Sequence, residues 1–506
     1  MLPNPPKHIH FIGICGVAMS ALAIAFKKAG YIVTGSDAGF FPPISTELEK
    51  NEIDFYPGWH TERVLRSFSE AGAGNHLVVV GNVASSTNPE WMYVQEHKLN
   101  YKSYPEVITE FFIKQNSIVC AGTYGKTSSS ALLSWILTES GFDPSYMFGG
   151  LTAFGCHLEP PKVVRDLHSR IEDFSPSKSD RNNSVNFLSA KLGNNTWSVV
   201  EGDEYKSARW DMRPKFAHYS PTHLLLTGLS WDHADVYPTE DAYFDVFKKL
   251  VASIPKNGVI VADTDNEKIK EIVQLSHGPI VSYGKNNGAM YQWSNETMTR
   301  VGITFDIIHE GEKYHITSPM LGMYQAANIT GSFAMAHAIG IEPEKIINAI
   351  KKFNGMKRRL EKRYEGQITV FDDIAHSPAK AKATLETLRA IYTGKIIAIF
   401  EPNTGNRQTE AVPQYDHAFA NADIVLIPKL TAVKKSTTGP EPLDGEELKK
   451  IIAKTHHDTR YIENDIELVE QILSEIKPED VVVFLGSHGF RGMIETLIEK
   501  IEHRLP

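Results

Sequence analysis

Ser117-Ile-Val-Cys-Ala-Gly-Thr-Tyr-Gly-Lys-Thr127 is the stretch on which the fold turns. An apolar run enters a glycine turn, and the turn opens into Ser130 to Glu139, a helical pattern. A strand that feeds a helix through glycines gathers backbone N–H groups and the positive end of the helix at one point, which suits phosphate oxygens. Lys126 supplies a cation for the terminal phosphates and Thr127 a hydroxyl for a divalent cation. Gly122, Thr123, Gly125, Lys126 and Thr127 therefore read as an ATP-binding loop. Cys120 stands where the commoner loop pattern has glycine, so this is the shorter Gly-x-x-Gly-Lys-Thr form; a chance glycine turn is the competing account.

Working outward, Trp197 to Asp203, His223 to Thr227 and Gly258 to Asp263 repeat the theme of an apolar strand with polar residues at its C-terminal end. In open parallel sheets that edge binds ligands, so Thr127, Glu201, Asp232 and His233 are expected to converge. A carboxylate at Glu201 can hold a cation that bridges ATP and an incoming carboxylate, with His233 as a second ligand through a neutral imidazole. Mg²⁺ prefers oxygen, so the histidine speaks equally for a Mn²⁺-tolerant site. The bland alternatives are an exposed acidic turn at Glu201, Asp203 and Glu204, and a structural histidine. Glu172 to Asn195 is rich in Ser, Asn, Asp and Lys and reads as a surface insertion.

Two further series flank this one. His8 to Ile14, the helical pattern Ala18 to Lys28, Tyr31 to Asp37 and His76 to Asn82 make a βαβ-type domain. Its turn, Gly13-Ile-Cys-Gly-Val-Ala18, is a weak dinucleotide fingerprint in which Asp37 is placed to meet a ribose hydroxyl, or else to act only as a cap. Ile368 to Asp373, Lys395 to Phe400, Asp423 to Ile427 and Asp480 to Gly486 make another, with a mobile loop expected at Lys434 to Pro440. The fold class is α/β in three domains: a Rossmann-like one over 1–107, a P-loop ATPase-like one over 108–354 with the insertion at about 172–195, and a Rossmann-like one over 355–506.

A chain of 506 residues is too long for one core, and 42% hydrophobic with 22% charged residues excludes disordered and fibrous classes. A net charge of -9 offers no general field for nucleic acid. Cys15, Cys120 and Cys156 are too few for a disulfide framework and fit a reducing compartment. With no signal-peptide pattern and no run apolar enough to span a bilayer, a cytoplasmic protein without membrane or nucleic-acid partners is expected.

Gly122 to Thr127, Glu201-Gly-Asp-Glu204, Asp232-His233, Gly322 through Asn328, Arg358-Arg359 and Asp372-Asp-Ile-Ala-His376 occur in this order across all three domains. In that order they resemble the Mur ligases, which attach amino acids or peptides to UDP-N-acetylmuramic acid precursors. Gly13 to Gly16, Phe41 to Thr46 and the block from Glu201 through Asp211-Met-Arg-Pro-Lys-Phe-Ala-His-Tyr219 to Asp235 look most like the murein-recycling branch. That branch joins L-alanyl-γ-D-glutamyl-meso-diaminopimelate to UDP-N-acetylmuramate; the L-alanine-adding branch is the alternative. The resemblance implies ATP and Mg²⁺ as cofactors, UDP-N-acetylmuramate and a peptide or amino acid as substrates, and a monomer or weak homodimer. It places the UDP moiety near Gly13, Gly16 and Asp37, adenine near Asn328, phosphates near Arg358 or Arg359, and nucleotide or interdomain contacts at Asp372, Asp373 and His376. Lys126, Glu201 and His233 carry the catalytic roles.

The chain departs from the family at Tyr124 and at Tyr324-Gln325, at Ser377, which replaces a second histidine, and at Asn403, where an arginine is expected. If that arginine meets a peptide carboxylate, Arg407 must substitute or the peptide specificity differs. An NAD-dependent dehydrogenase leaves the phosphate loop unexplained, and a non-catalytic nucleotide-binding protein is the remaining alternative.

Overall fold

The apolar runs become parallel strands buried on both faces, as continuous hydrophobic runs require. The computed structural model describes residues 7–40, 44–65, 75–82, 84–152, 187–233, 236–431 and 441–504. Three sheets follow one another along the chain. The first has five parallel strands in the order Asp54–Pro57, Ile32–Asp37, His8–Ile12, His76–Val80, Tyr101–Ser103. The second has ten strands, in the order Glu312–Ser318, Gly302–His309, Tyr291–Thr299, Ile280–Gly284, Val259–Asp263, His223–Leu226, Asn116–Ala121, Trp197–Gly202, Ser145–Met147, Ala190–Lys191. It is parallel in the middle and antiparallel at both ends. The third has six strands, Glu361–Glu365, Thr369–Asp373, Val481–Gly486, Ile396–Glu401, Ile424–Ile427, Thr459–Tyr461, and only the first is antiparallel to its neighbour. This is the mixed α/β, three-domain architecture expected.

The helix Lys126–Glu139 buries every residue from Ser128 to Leu137 between the central sheet and the helices Gln325–Ala338 and Pro343–Lys352. Leu132, Leu133 and Ile136 are at most 1% exposed, and each such side chain contributes about 1.5–3 kcal/mol of burial. Trp135 ties the helix down by donating its Nε1–H to the Ala349 carbonyl at 2.9 Å. The phosphate loop thus rests on a rigid support.

Two features differ from the sequence reading. Residues 187–195, within the stretch read as a surface insertion, belong to the fold: Phe187 and Ala190 are buried, and Ala190–Lys191 pairs with Ser145–Met147. Polar composition there reflects the turns around a short edge strand. The rest of that stretch, Lys434 to Pro440, and Cys156 lie outside the described residues. The meander Tyr291–Thr299, Gly302–His309, Glu312–Ser318 was not anticipated, although its first strand begins with the period-two alternation of a half-buried strand, Tyr291 and Trp293 being buried.

The domains touch at named points. Trp210, on the hairpin Lys206–Ala208 and Asp211–Pro214, stacks on Trp91 of the first domain at 4.8 Å and 17°. Arg209 donates to the Asn82 carbonyl at 3.3 Å. Between the central and third domains, Arg300 pairs with Glu479 at 2.7 Å and lies over the Tyr392 ring at 4.8 Å.

Candidate functional site

The loop owes its shape to Gly122 and Gly125, whose φ values of 139° and 84° lie in the region that favours glycine. A Cβ at Gly122 would run into Thr227, and one at Gly125 into the Asn328 side-chain oxygen. Asn328, on the helix Gln325–Ala338, therefore lies directly beneath the loop, with its amide donating to Gln325 at 3.2 Å. Thr123 anchors the loop's far side, donating its hydroxyl to the Ser230 carbonyl at 2.7 Å and accepting from the Ser230 N–H at 2.9 Å.

Lys126 curls back over the loop. Its Nζ donates to the Gly122 carbonyl and to Glu204 Oε1 at 3.0 Å, and stands 2.9 Å from Glu204 Oε2. The Thr127 hydroxyl donates to Glu201 Oε1 at 2.9 Å, while Glu201 Oε2 accepts from the Gly149 N–H at 2.6 Å. Burial pushes the Glu201 carboxyl above its usual range; the Gly149 N–H and the Lys126 charge only partly oppose this. A crowded carboxylate held above its normal pKa beside a hydroxyl is an oxygen donor pair that an added positive charge would relieve. It fits a hard divalent cation. Among the described residues no three His, Cys, Asp or Glu side chains converge as a metal cage.

His233 approaches this group from the other side, in a left-handed backbone conformation with φ 55°. Its Nε2 lies 3.4 Å from Glu204 Oε1, and hydrogen bonding to Glu204 raises its pKa against the opposing effect of burial. Glu204 is thus shared by Lys126 and His233. Sequence reasoning singled out Glu201 at the strand end and placed Glu204 only in a possible acidic turn, with no signal for its contacts to Lys126 and His233.

In the first domain, Gly13, Gly16 and Asp37 do come together. Gly13 has φ 87°, Gly16 caps the helix Val17–Lys28, and Asp37 accepts from the Cys15 N–H at 2.8 Å and the Ala38 N–H at 2.7 Å. Asp37 therefore braces the turn. Burial pushes both Cys15 and Cys120 thiols up to about 12, and both are free.

The third-domain residues sort themselves. Arg358, at φ 58°, donates to the carbonyls of Gly486 at 2.6 Å, Ser487 at 3.1 Å and His488 at 2.8 Å, and pairs with Asp372 at 3.3 Å. Its guanidinium is committed to its own domain. Arg359 is exposed and, among the described residues, shows no such commitment. Asp373 accepts the Leu360 and Ala375 N–H groups at 2.7 and 2.8 Å, and burial holds Asp372 and Asp373 each at about 6. His376 rests its Nδ1 against the Ile374 carbonyl at 2.7 Å, and burial lowers its pKa. Lys380, near the start of the helix Pro378–Arg389, is exposed. Crowding by protein lowers its pKa, and the charges it meets include Asp232 and Lys126 as well as Arg359 and Asp373. This edge of the third domain therefore faces the phosphate loop. Arg407 is 8% exposed and donates to the Leu443 and Thr431 carbonyls at 2.9 Å each, so it is no free carboxylate clamp; Asn403 caps the turn before it.

Family models match in the same order as the sheets. Residues 8–115 match the Mur ligase family catalytic domain, 120–336 the Mur ligase middle domain, and 358–488 the Mur ligase glutamate ligase domain. The chain belongs to the Mur ligase family. It is accordingly an ATP-dependent, ADP-forming ligase of peptidoglycan metabolism. The UDP-N-acetylmuramate-L-alanyl-gamma-D-glutamyl-meso-2,6-diaminoheptandioate ligase of Haemophilus influenzae is 29% identical, over 98% of this chain and 99% of that one. The UDP-N-acetylmuramate-L-alanine ligase of Mesorhizobium japonicum is 27% identical over 96% of each. The crystal structure of a murein peptide ligase from Psychrobacter arcticus superimposes with a TM-score of 0.69 at 25% identity, covering 99% of this Mur ligase and 100% of that chain. Among the described residues, no helix is long and apolar enough to cross a membrane.

Proposed function

We propose that this Mur ligase joins UDP-N-acetylmuramate to the recycled tripeptide L-alanyl-γ-D-glutamyl-meso-diaminopimelate, in the cytoplasm, through an acyl phosphate. The chemistry rests on one observation: Lys126, the Thr127–Glu201 pair and His233 gather around a glycine loop at the carboxyl edge of the central sheet. The choice of amine rests on the full-length likeness to the Haemophilus influenzae ligase named for that tripeptide.

A carboxylate is a poor acyl donor, so the muramyl carboxylate first takes the γ-phosphoryl group of ATP and ADP leaves. The free amine of the peptide then attacks the acyl carbon, and phosphate departs. Lys126 offsets charge on the transferring group, a task of position and electrostatics. Thr127 and Glu201 are the residues that would hold a divalent cation, Mg²⁺ or Mn²⁺, whose bound charge neutralises phosphate oxygens. The backbone of Gly122 to Gly125 cradles the phosphates, and Asn328 borders the nucleotide from below. Arg359, uncommitted where Arg358 is spent, is the arginine left to reach phosphate across the cleft, and Lys380 enters from the same wall. Gly13, Gly16 and Asp37 orient the UDP group in the first domain. No side chain is required as a nucleophile.

The second reading, L-alanine as the amine, draws on the burial of Arg407, which leaves the peptide carboxylates without the substitute clamp the tripeptide reading calls for. One experiment separates the two. ATP, Mg²⁺ and UDP-N-acetylmuramate are incubated with L-alanine and, separately, with the tripeptide; ADP is followed and products are identified by mass. Tripeptide product at the higher rate is expected. Product with L-alanine alone selects the second reading, and no amide with either amine discards both.

A further inference from the structure

Glu204 is 1% exposed, yet no step of the proposed reaction uses it. A carboxylate that deep in the protein is held there only at the expense of its hydration, and it needs compensating donors. Its compensation comes from groups that the reaction does use. Lys126 Nζ meets both carboxylate oxygens, at 3.0 and 2.9 Å, and His233 Nε2 lies 3.4 Å from the first of them. The Tyr243 hydroxyl stands 3.5 Å from the same oxygen and 2.8 Å from Thr123 Oγ1, inside the phosphate loop. The backbone is pinned as well, since the Tyr237 hydroxyl donates to the Glu204 carbonyl. One carboxylate therefore touches the lysine, the histidine and, through Tyr243, the threonine of a single site.

Resting on the ligase reading above, we infer that Glu204 is a positioning residue for phosphoryl transfer, fixing the Lys126 ammonium over the loop and the His233 imidazole beside it. An ammonium has three N–H donors, and those of Lys126 are taken by Gly122 and Glu204. The side chain is thereby held folded over the loop, where a bound triphosphate would lie, instead of sampling the rotamers of a free lysine. On the other side, the Glu204 carboxylate 3.4 Å from Nε2 fixes the orientation of the His233 imidazole. The two assignments are coupled because they share Oε1: a group that displaces Lys126 toward phosphate leaves Glu204 to His233. Glu201, only three positions earlier, ends in a different environment, with Thr127 and the Gly149 N–H as its partners. The acidic turn thus divides into a carboxylate for the cation and a carboxylate for the cationic side chains.

The test uses the full chain with ATP, Mg²⁺, UDP-N-acetylmuramate and the amine that the wild type accepts, with folding of each variant checked by thermal melting. Glu204→Gln is expected to lose roughly 100-fold in kcat, the usual cost of about an ångström of misplacement. KM for ATP should stay within about twofold or fall, because the charge removed opposes a triphosphate. Glu204→Asp keeps the charge on a shorter arm and should recover part of that loss. The double variant Lys126→Met with Glu204→Gln should be no slower than Lys126→Met alone, as befits a residue that acts through the lysine. Wild-type kcat in Glu204→Gln, or losses that multiply in the double variant, overturns the inference. Should Glu204→Gln fail to fold, Glu204→Asp decides the matter: a kcat loss of about tenfold supports the role, and wild-type kcat rejects it. A wild type that makes no amide sinks the ligase reading and this inference together, whereas an active wild type with an indifferent Glu204→Gln sinks the inference alone.

Discussion

The first and central domains each pass from a buried parallel strand through a glycine turn into a helix, and the two turns are dressed in opposite ways. At Gly13 to Gly16 the strand-end acid, Asp37, reaches across to the Cys15 N–H, so an anion already sits at the turn and braces it. At Gly122 to Gly125 a cation sits over the turn instead, and the acids Glu201 and Glu204 are drawn to the hydroxyl and ammonium that follow it. The same backbone device is therefore suited to two tasks. An acid at the turn favours a neutral hydroxyl-bearing group such as a ribose, and a lysine favours a chain of phosphates. The contrast lies in the side chains and not in the strand-turn-helix path, which the two turns share.

The sharpest way to break the contrast is to remove the cation. Lys126→Ala should cut substrate-dependent ADP release by roughly a thousandfold or more, because the charge on the transferring group loses its counterpart. It should also lower stability by about 1–3 kcal/mol, since Glu204 is left buried without its main partner. Near-normal turnover would reject the assignment. Next in size, Glu201→Ala should raise the metal concentration needed for half-maximal rate by about 10- to 100-fold. An unchanged metal titration would return Glu201 to a purely structural role. On the other turn, Asp37→Ala should raise KM for the UDP substrate about tenfold with little change in kcat, a loss of uniform binding. A fall in kcat with KM intact would remove Asp37 from the substrate site.

The smallest effect concerns strand-end acids. Asp37 has two backbone N–H donors, whereas among the described residues Asp263, at the end of Val259–Asp263, accepts only from Asp265 at 3.1 Å, and burial pushes it to about 6. Its folded pKa is above the ordinary value of 3.8, so the folded state favours the protonated acid. The penalty for ionising it is absent below about pH 4 and grows until the pH passes about 6. Asp263→Asn should accordingly gain stability over wild type as pH rises across that window, by about 1 kcal/mol for this partly solvated group. Denaturant midpoints at pH 4 and pH 7 that differ equally in both proteins would refute it.

Much of the fold was legible because parallel strands advertise themselves. Runs such as Ile118 to Ala121 and Val481 to Leu485 are apolar throughout and end in glycine or acid, so strand, edge and binding face follow from one pattern. The meander from Tyr291 to Ser318 was less visible because its outer face is polar and its bulge near Asn295 breaks the alternation. Within the site, the loop and Glu201 could be read from position. Arg358 and Arg359 could not be told apart, since they are identical neighbours; only the left-handed turn at Arg358 sends its guanidinium inward to three carbonyls while Arg359 stays exposed. Arg407 looked like a spare clamp because sequence carries no sign of the Leu443 and Thr431 carbonyls that engage it. Charge can be read from a letter, whereas prior commitment requires coordinates.

The stacked indoles of Trp91 and Trp210 belong to different domains and lie nearly parallel. Two such chromophores at that separation share their electronic excitation, so their circular dichroism reports on their mutual angle. The stack thus gives an optical gauge of the angle between the first and central domains, readable without a label. A signal that holds steady while nucleotide is added would show the first and central domains staying clasped.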